Sequence, residues 1–546
     1  MILFLFLFGR VLGAGYILDD HSVIENRVEL KGAPAIYKVF TLPWHQNQPW
    51  AGNYRPLTLL SYALTLSFSE STAVMRLVNI IIHSANAALI FYLVLIFFPA
   101  RIAYFTAIGF AVLPINTGTV LSLVGRSDLL SAFFMLLTII FFFKNKYGWS
   151  IFNFFMALLA KDFSIFLLPV IIFLSLFLKR HRLKEVLKTA FSYSLVLLPY
   201  LVLRYLALGT YAFESRGSID PIIGPLAFAG LKERILSGFV YFYFYLRKTF
   251  LPVDLSPDYS FDQIPTPDIL NPNLIMGLTA LLAILFIFFK SRDQRIKLAV
   301  ILFLIPFGVI SNTVFVTTGV FAERWWYFPS IGLILFVLTF LAILPENKKF
   351  FHKVLIYSFI LAVGFSYLYV SLEQAEIWTN ERKLFAAAAQ RSPNSAWARA
   401  NLAAVYFKEK KFDQAKNEID YSLKISGNYP AALNIYAKLK WREGEFKEAE
   451  TAFKRAIEYD LNKRNHRDLY RSLAILKMET GYYNQALDHI KYAIESPAFK
   501  DVKKAVYLDN LLLNRINNLV KNEQGTLSDS ENNTIRFLMV HVKGFE

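Results

Sequence analysis

Two adjacent carboxylates, Asp19 and Asp20, stand where the first hydrophobic stretch of the chain, Met1 to Leu18, meets water. Such a pair at the mouth of a membrane protein serves as a general base, as ion-site ligands or as a topological stop. Charged groups recur at similar boundaries. Tyr54-Arg55-Pro56 closes the loop that Asp19-Asp20 opens, and Gly125-Arg126-Ser127-Asp128, Lys161-Asp162, Asp258-Tyr259-Ser260 and Glu323-Arg324 follow, most of them within a few residues of an apolar run. A carboxylate within hydrogen-bond reach of a hydroxyl takes its proton during attack. Arginines such as Arg55, Arg126 and Arg324 hold a phosphate bidentately, and Arg204, near the end of its own apolar run, reaches the same phosphate or simply snorkels. These are the parts needed to move a group from a lipid-linked phosphate to a hydroxyl. Neither an ATP-binding loop, a zinc spacing, a Gly-rich dinucleotide turn nor a nucleophile elbow is present, which fits a donor already activated as a lipid phosphate. Taken singly, each charge reads as an interfacial anchor. Charges at membrane depth persist mainly where they line a polar cavity, so the set argues for one.

The elements that must position them are membrane helices. The 546-residue chain is 55% hydrophobic and 16% aromatic, with 52 Phe and only 18% charged residues, so much of it faces lipid. A net charge of +17 then reflects basic cytoplasmic loops rather than nucleic-acid binding. There are no cysteines, which excludes disulfides and thiolate metal sites. Met1–Leu18 reads as a first span rather than a signal peptide, because Arg10 sits mid-stretch and no good cleavage site follows. Further apolar runs lie at 73–98, 102–122, 129–143, 149–160, 163–178, 187–208, 272–289, 296–316, 325–344 and 352–372, about eleven spans in all. Basic loops around Lys144, Lys179–Lys184, Lys290–Lys297 and Lys348–Lys353 fall on one face, which the positive-inside rule makes cytoplasmic. The charged motifs and everything after Leu372 are then extracytoplasmic. The amphiphilic stretch 235–252 is expected to be a re-entrant or interfacial segment under the external cavity.

From about Gln374 the composition turns charged and helical, with a 34-residue period. Leu402-Ala403, Tyr406, Phe412 and Ala415 match the tetratricopeptide pattern; Gly444, Phe446, Ala449, Phe453 and Ala456 repeat it, and Leu473-Ala474, Gly481, Tyr483, Ala486 and Ala493 repeat it again. Small residues recur where paired helices pack closely. The polar turn Asn462–Asn465 absorbs three extra residues, Trp378 to Pro393 leads in as a partial repeat, and Val502–Val520 reads as a capping helix. The expected organisation is all-α: a polytopic domain over 1–372, a linker and partial repeat over 373–393, repeats over 394–500, and a capping helix and tail over 501–546.

The chain resembles the transmembrane, tetratricopeptide-repeat-containing O-mannosyltransferases, relatives of the protein O-mannosyltransferases with the GT-C fold. Carrying the resemblance are Leu18-Asp19-Asp20 with Ile24-Glu25-Asn26, Tyr54-Arg55-Pro56-Leu57, Leu77-Val78-Asn79 with His83, Val124 to Leu130, Leu159-Ala160-Lys161-Asp162, Leu255 to Ser260, and Ala322 to Gly332. It implies an inverting transferase that takes a sugar from a polyprenyl-phosphate donor, with no cofactor required, and uses a first-loop Asp as base. Asp19 is favoured over Asp20, whose charge would orient its neighbour or raise its pKa. Asp128, Lys161, Asp162, Asp258, Tyr259, Glu323 and His83 are candidate cavity-lining groups, although His83, mid-span, also reads as a packed histidine. The chain departs from the family at 113–118, Leu-Pro-Ile-Asn-Thr-Gly, where a His-Pro-x-His-Thr-Glu stretch is usual, and at Arg76, where His is usual. Accordingly no metal site is expected. The expected partners are the membrane lipid donor and an acceptor protein or peptide held by the repeats, in a prokaryotic cytoplasmic membrane. A polar-lipid transporter and a non-enzymatic scaffold are the rival readings.

Overall fold

The computed structural model describes residues 2–45, 51–213, 220–317, 319–343, 350–461, 463, 465–496 and 503–520. Part of the Asn462–Asn465 turn, the start of the expected capping helix and the tail beyond Val520 lie outside them. Every regular element among the described residues is a helix, so the chain is all-α, with an apolar helical region followed by repeats.

The count of eleven spans is not supported. Among the described residues four helices are long and apolar enough to cross a membrane, Thr72–Leu95, Leu123–Phe143, Leu183–Ala212 and Pro272–Lys290. A fifth is obtained if Ala100–Ala111 and Pro114–Leu121, bent by 50° at their junction, form one broken span. Apolar composition sets where a segment goes, but length sets whether it crosses. Tyr147–Ala160, with 14 residues, extends only about 21 Å at 1.5 Å per residue, short of a hydrocarbon core of about 30 Å. Pro114 breaks the run 102–122, since proline lacks the N–H that continues a helix. The expected first span is likewise only a seven-residue α-helix, Ile2–Phe8, ending in a 3-10 turn over Gly9–Val11.

Residues 231–250, which hold most of the amphiphilic stretch 235–252, form one uninterrupted 20-residue helix. Its tyrosines explain why: Tyr241 and Tyr245 are buried, and Tyr245 stacks on Trp326 (4.6 Å between centroids, 10° between planes) and on Phe321 (4.2 Å). The aromatic content that looks amphiphilic in sequence is packing surface.

The repeats are antiparallel helix pairs: Ala396–Lys408 with Phe412–Ile425, Pro430–Arg442 with Phe446–Tyr459, and His466–Glu479 with Tyr483–Glu495, preceded by Glu381–Arg391 and followed by Lys503–Val520. The small residues of the motif, Ala403, Ala415, Ala449, Ala456, Ala474, Ala486 and Ala493, are fully buried at the helix contacts. The turn inside each pair passes through a left-handed residue: Gly444 (φ 84°), Gly481 (φ 81°) and, in the first pair, Lys410 (φ 61°). Glycine adopts that conformation without steric cost; lysine does not.

Candidate active site

The helix ends facing the repeats enclose two adjoining cavities. The smaller, about 280 Å³, is bordered by Asp19, Arg55, Asp128, Lys161, Asp162, Arg204 and Arg324. The larger, about 580 Å³, is bordered by Asp19, Asp258 and Arg324 and, from the repeat side, by Glu381, Trp397, Asn401 and Lys408. Asp19, His45, Ala51, Asn53, Arg324 and Trp325 border both.

Local structure explains how these side chains arrive together. Arg55 precedes Pro56, which opens helix Pro56–Phe68 as proline does at a first helical position. Gly125 lies so close to the preceding turn that a Cβ would sit 2.0 Å from the Thr119 carbonyl oxygen; only glycine lets the chain turn there and enter helix Arg126–Phe143 with Asp128 in its first turn. Lys161 is the extended residue after helix Tyr147–Ala160, and Asp162 opens the 3-10 helix that follows it.

In the small cavity the cations are partly neutralised. Lys161 Nζ lies 2.5 Å from Asp128 Oδ1. Asp162 is shared by Arg55 (3.5 Å) and Arg204 (3.7 Å), while Arg55 also lies over the Trp44 ring at 4.7 Å and donates to Ser127 Oγ at 3.3 Å. Arg324 is exposed to the cavities and, among the described residues, has no side-chain hydrogen bond or ion pair.

Several sequence candidates sit elsewhere. Asp20 is fully buried and borders neither cavity. It accepts from the backbone N–H of Ile17 (3.2 Å) and of Val124 (3.1 Å), tying the first loop to the turn before Arg126; burial pushes its carboxyl up to about 7. Arg126 is also fully buried and borders neither cavity. Its guanidinium donates to Asn79 Oδ1 (2.8 Å), the Met75 carbonyl (2.8 Å), the Ser61 carbonyl (3.2 Å) and Thr65 Oγ1 (3.1 Å) and covers the Tyr62 ring. His83 is enclosed, with Nδ1 2.6 Å from the Tyr327 hydroxyl and Nε2 3.3 Å from the Ala111 carbonyl.

Glu323 and Tyr259 lie behind the large cavity. Glu323 Oε1 accepts from the Tyr259 hydroxyl (2.5 Å) and the Ser256 N–H (2.8 Å), and burial raises its carboxyl to about 7. Asp258 is the clasp between the helical region and the repeats. Its Oδ2 accepts from the N–H and Oγ of Ser260 (2.9 and 2.6 Å) and from Ser395 Oγ (2.6 Å), and its carbonyl accepts from Ser392 Oγ at 2.8 Å; burial raises its pKa. Arg391 adds a bond to the Leu255 carbonyl (2.8 Å), and Ala396 N–H donates to the Phe261 carbonyl (3.0 Å). On the opposite rim His21 joins Glu25 of the first loop to Glu381 of the repeats. These partners, Glu381 first, raise the histidine to about 9, so it is cationic at neutral pH.

Sequence reasoning missed His45 and the repeat residues as cavity groups. His45 lies in the same loop that Asp19 opens and Arg55 closes, which is the signal that would have found it. Nothing in the repeat motif marks Trp397, Asn401 or Lys408 as facing Asp19. Among the described residues no group of His, Asp or Glu has the arrangement of a metal site.

Comparison with known proteins adds two kinds of likeness. Residues 382–439 match the tetratricopeptide repeat family. Protein O-mannosyl-transferase F38B6.6 of Caenorhabditis elegans is 26% identical over 413 residues, covering 72% of this chain and 57% of that protein. Protein O-mannosyl-transferase TMTC4 of Homo sapiens is 24% identical over 505 residues, 79% of this chain and 64% of its own length, and human TMTC1 is 26% identical over 496 residues, 78% and 54% respectively. The chain thus spans between about half and two thirds of these relatives.

Proposed function

We infer that this chain, a distant homologue of the protein O-mannosyl-transferases with a tetratricopeptide region, is a multi-pass membrane glycosyltransferase. It moves mannose or another hexose from a polyprenyl-phosphate donor to a hydroxyl acceptor, a Ser or Thr of a protein, on the extracytoplasmic face. Residues 1–372 carry the chemistry, and the repeats over 394–500, entered through 373–393, carry acceptor recognition.

The observation that carries the reading is that Asp19 and Arg324 border both cavities, so a carboxylate and an uncommitted guanidinium face the same junction. The donor phosphate lies against Arg324, with Arg55 and Arg204 beside it, and its polyprenyl chain lies among the apolar helices. The acceptor hydroxyl approaches through the large cavity. Its proton passes to the Asp19 carboxylate as its oxygen forms a bond to the anomeric carbon. The bond from that carbon to the phosphate oxygen breaks, and the phosphate leaves with the electron pair. A single in-line displacement inverts the anomeric centre. Cations preorganised at the departing phosphate stabilise charge as it develops. Asp20 supports Asp19 as the base by exclusion: it is fully buried, borders neither cavity and accepts a backbone N–H at each of its oxygens. Arg126, with its donors spent on protein oxygens, holds the first helices together instead of binding phosphate.

The test is sugar transfer from a polyprenyl-phosphate sugar by the purified full chain and its Asp19→Asn variant. A positioned general base contributes about 10²- to 10⁴-fold, so transfer should fall by about a thousandfold with the melting temperature retained. Full transfer by Asp19→Asn would overturn the assignment.

A further inference from the structure

Asp19 sits in a turn that is gripped on both of its sides. After it, Asp20 accepts from the N–H groups of Ile17 and Val124, which ties the turn to the helical region. The Asp19 carbonyl accepts from the N–H of Ser22 (3.1 Å) and of Val23 (2.9 Å), leading into the helical turn His21–Glu25. Before it, Leu18 is left-handed, with φ 58°. A leucine there costs about 1–2 kcal/mol, and a strained residue persists only where its surroundings over-determine it.

Those surroundings come from the repeats. The Leu18 side chain packs against the buried cluster of Phe385, Ala389, Leu402 and Val405, which belongs to helices Glu381–Arg391 and Ala396–Lys408. The Leu18 N–H donates to the Glu381 carboxylate, and the same carboxylate accepts from His21 Nε2 at 3.1 Å. Glu381 therefore holds the residue before Asp19 and the residue two after it. Asn380 fixes where Glu381 stands: its side chain accepts from the Lys383 N–H (2.9 Å) and starts the helix at Glu381, as asparagine does at an N-cap. Glu381 and Asp19 border the same cavity. The other seam contacts do not reach this turn, since Ser395 bonds Asp258 and Arg391 bonds the Leu255 carbonyl and Glu373.

We propose that Glu381 is a positioning residue of the transferase: it fixes the backbone on both sides of Asp19 and so holds the base carboxylate in line with the acceptor hydroxyl. The repeat region is then a working part of the active site as well as an acceptor-recognition arm. This rests on the glycosyltransferase reading given above. Removing the Glu381 carboxylate frees Leu18 to leave its left-handed conformation, and the Asp19 carboxylate moves with it. The cations placed at the donor phosphate, Arg55, Arg204 and Arg324, are untouched, so the loss falls on turnover and not on donor binding.

The experiment measures kcat and donor KM for the full chain in lipid nanodiscs, with polyprenyl-phosphate mannose and a synthetic Ser peptide that the native chain glycosylates. Glu381→Ala should lower kcat by about ten- to a hundredfold, the scale on which a misplaced catalytic group acts, with donor KM and melting temperature retained. Glu381→Gln keeps an oxygen to accept from Leu18 and should restore most of the turnover. Arg391→Ala loosens the seam without touching the turn and should leave kcat at the native value. If Glu381→Ala melts early, His21→Ala removes the loop-side partner and should show the same split between kcat and KM. Native kcat in the folded variant, a loss that appears in donor KM instead, or an equal loss of kcat in Arg391→Ala overturns the proposal. Transfer that persists in Asp19→Asn is failure of the underlying reading instead.

Discussion

The small cavity is built by helix ends and the large one by the seam between helical region and repeats, and the two treat charge differently. In the first, cations are held close to carboxylates: Lys161 on Asp128, Arg55 and Arg204 on Asp162. Each pair lowers the cost of keeping charge in a poorly hydrated place, while Arg324 has no such carboxylate partner among the described residues. In the second, carboxylates are engaged in holding the seam, Asp258 through serine hydroxyls and Glu381 through His21. The same residue type therefore means different things on the two sides, and the partners distinguish them.

Arginine makes the contrast measurable. Arg126 gives its donors to protein oxygens and covers the Tyr62 ring, so Arg126→Ala leaves the buried Asn79 Oδ1 unpaired at about 1–3 kcal/mol and empties the space over that ring; we expect loss of about 3 kcal/mol of stability or failure to fold, read as a collapsed melting transition in detergent. Among the described residues Arg324 gives no side-chain donor to the protein, so Arg324→Ala should leave melting unchanged and raise half-saturation for the polyprenyl-phosphate donor by about tenfold to a hundredfold, the scale of a lost charged hydrogen bond at about 1.5–3 kcal/mol. Equal melting curves for both variants would erase the distinction between a structural and a binding arginine.

The two carboxylates differ in the same way. Burial raises Asp20 from 3.8 to about 7. A carboxyl whose folded pKa exceeds its unfolded value contributes stability that is complete below the unfolded pKa and is lost as pH rises through the folded one. Compared with Asp20→Asn, the native chain should therefore lose stability between pH 3.8 and about 7, visible as a melting-temperature difference that grows with pH and then levels. A pH-independent difference would mean that Asp20 does not titrate in that window. The smallest effect belongs to the repeats: Lys410→Gly relieves a left-handed lysine where the next two repeats have Gly444 and Gly481, and should stabilise the chain by about 1 kcal/mol without altering transfer.

What the sequence showed depended on how local the determinant was. The repeats were legible because the alanines that must be small recur at a fixed period, and the same positions are fully buried. The grouping of Asp19, Arg55, Asp128, Lys161, Asp162, Arg204 and Arg324 around one cavity was foreshadowed by their shared placement at the ends of apolar runs. Span number was not legible, because hydrophobicity continues across Pro114 while the helix does not. Arg126 was misleading for a related reason: Gly-Arg-Ser-Asp looks like a polar loop, and only the fold shows that Gly125 turns Arg126 inward and Asp128 toward the cavity. Asp258 borders the large cavity, but its partners Ser392 and Ser395, more than a hundred residues away in sequence, could not be read from its motif.

The most direct test of the two-chamber account is a structure of the full chain with a polyprenyl phosphate bound. The account places the phosphate in the small cavity against Arg324, with Arg55 and Arg204 beside it and Asp19 facing it across an open junction to the repeat groove. A phosphate bound in the large cavity against the repeats, or at a site bordered by neither Arg324 nor Asp19, would contradict it.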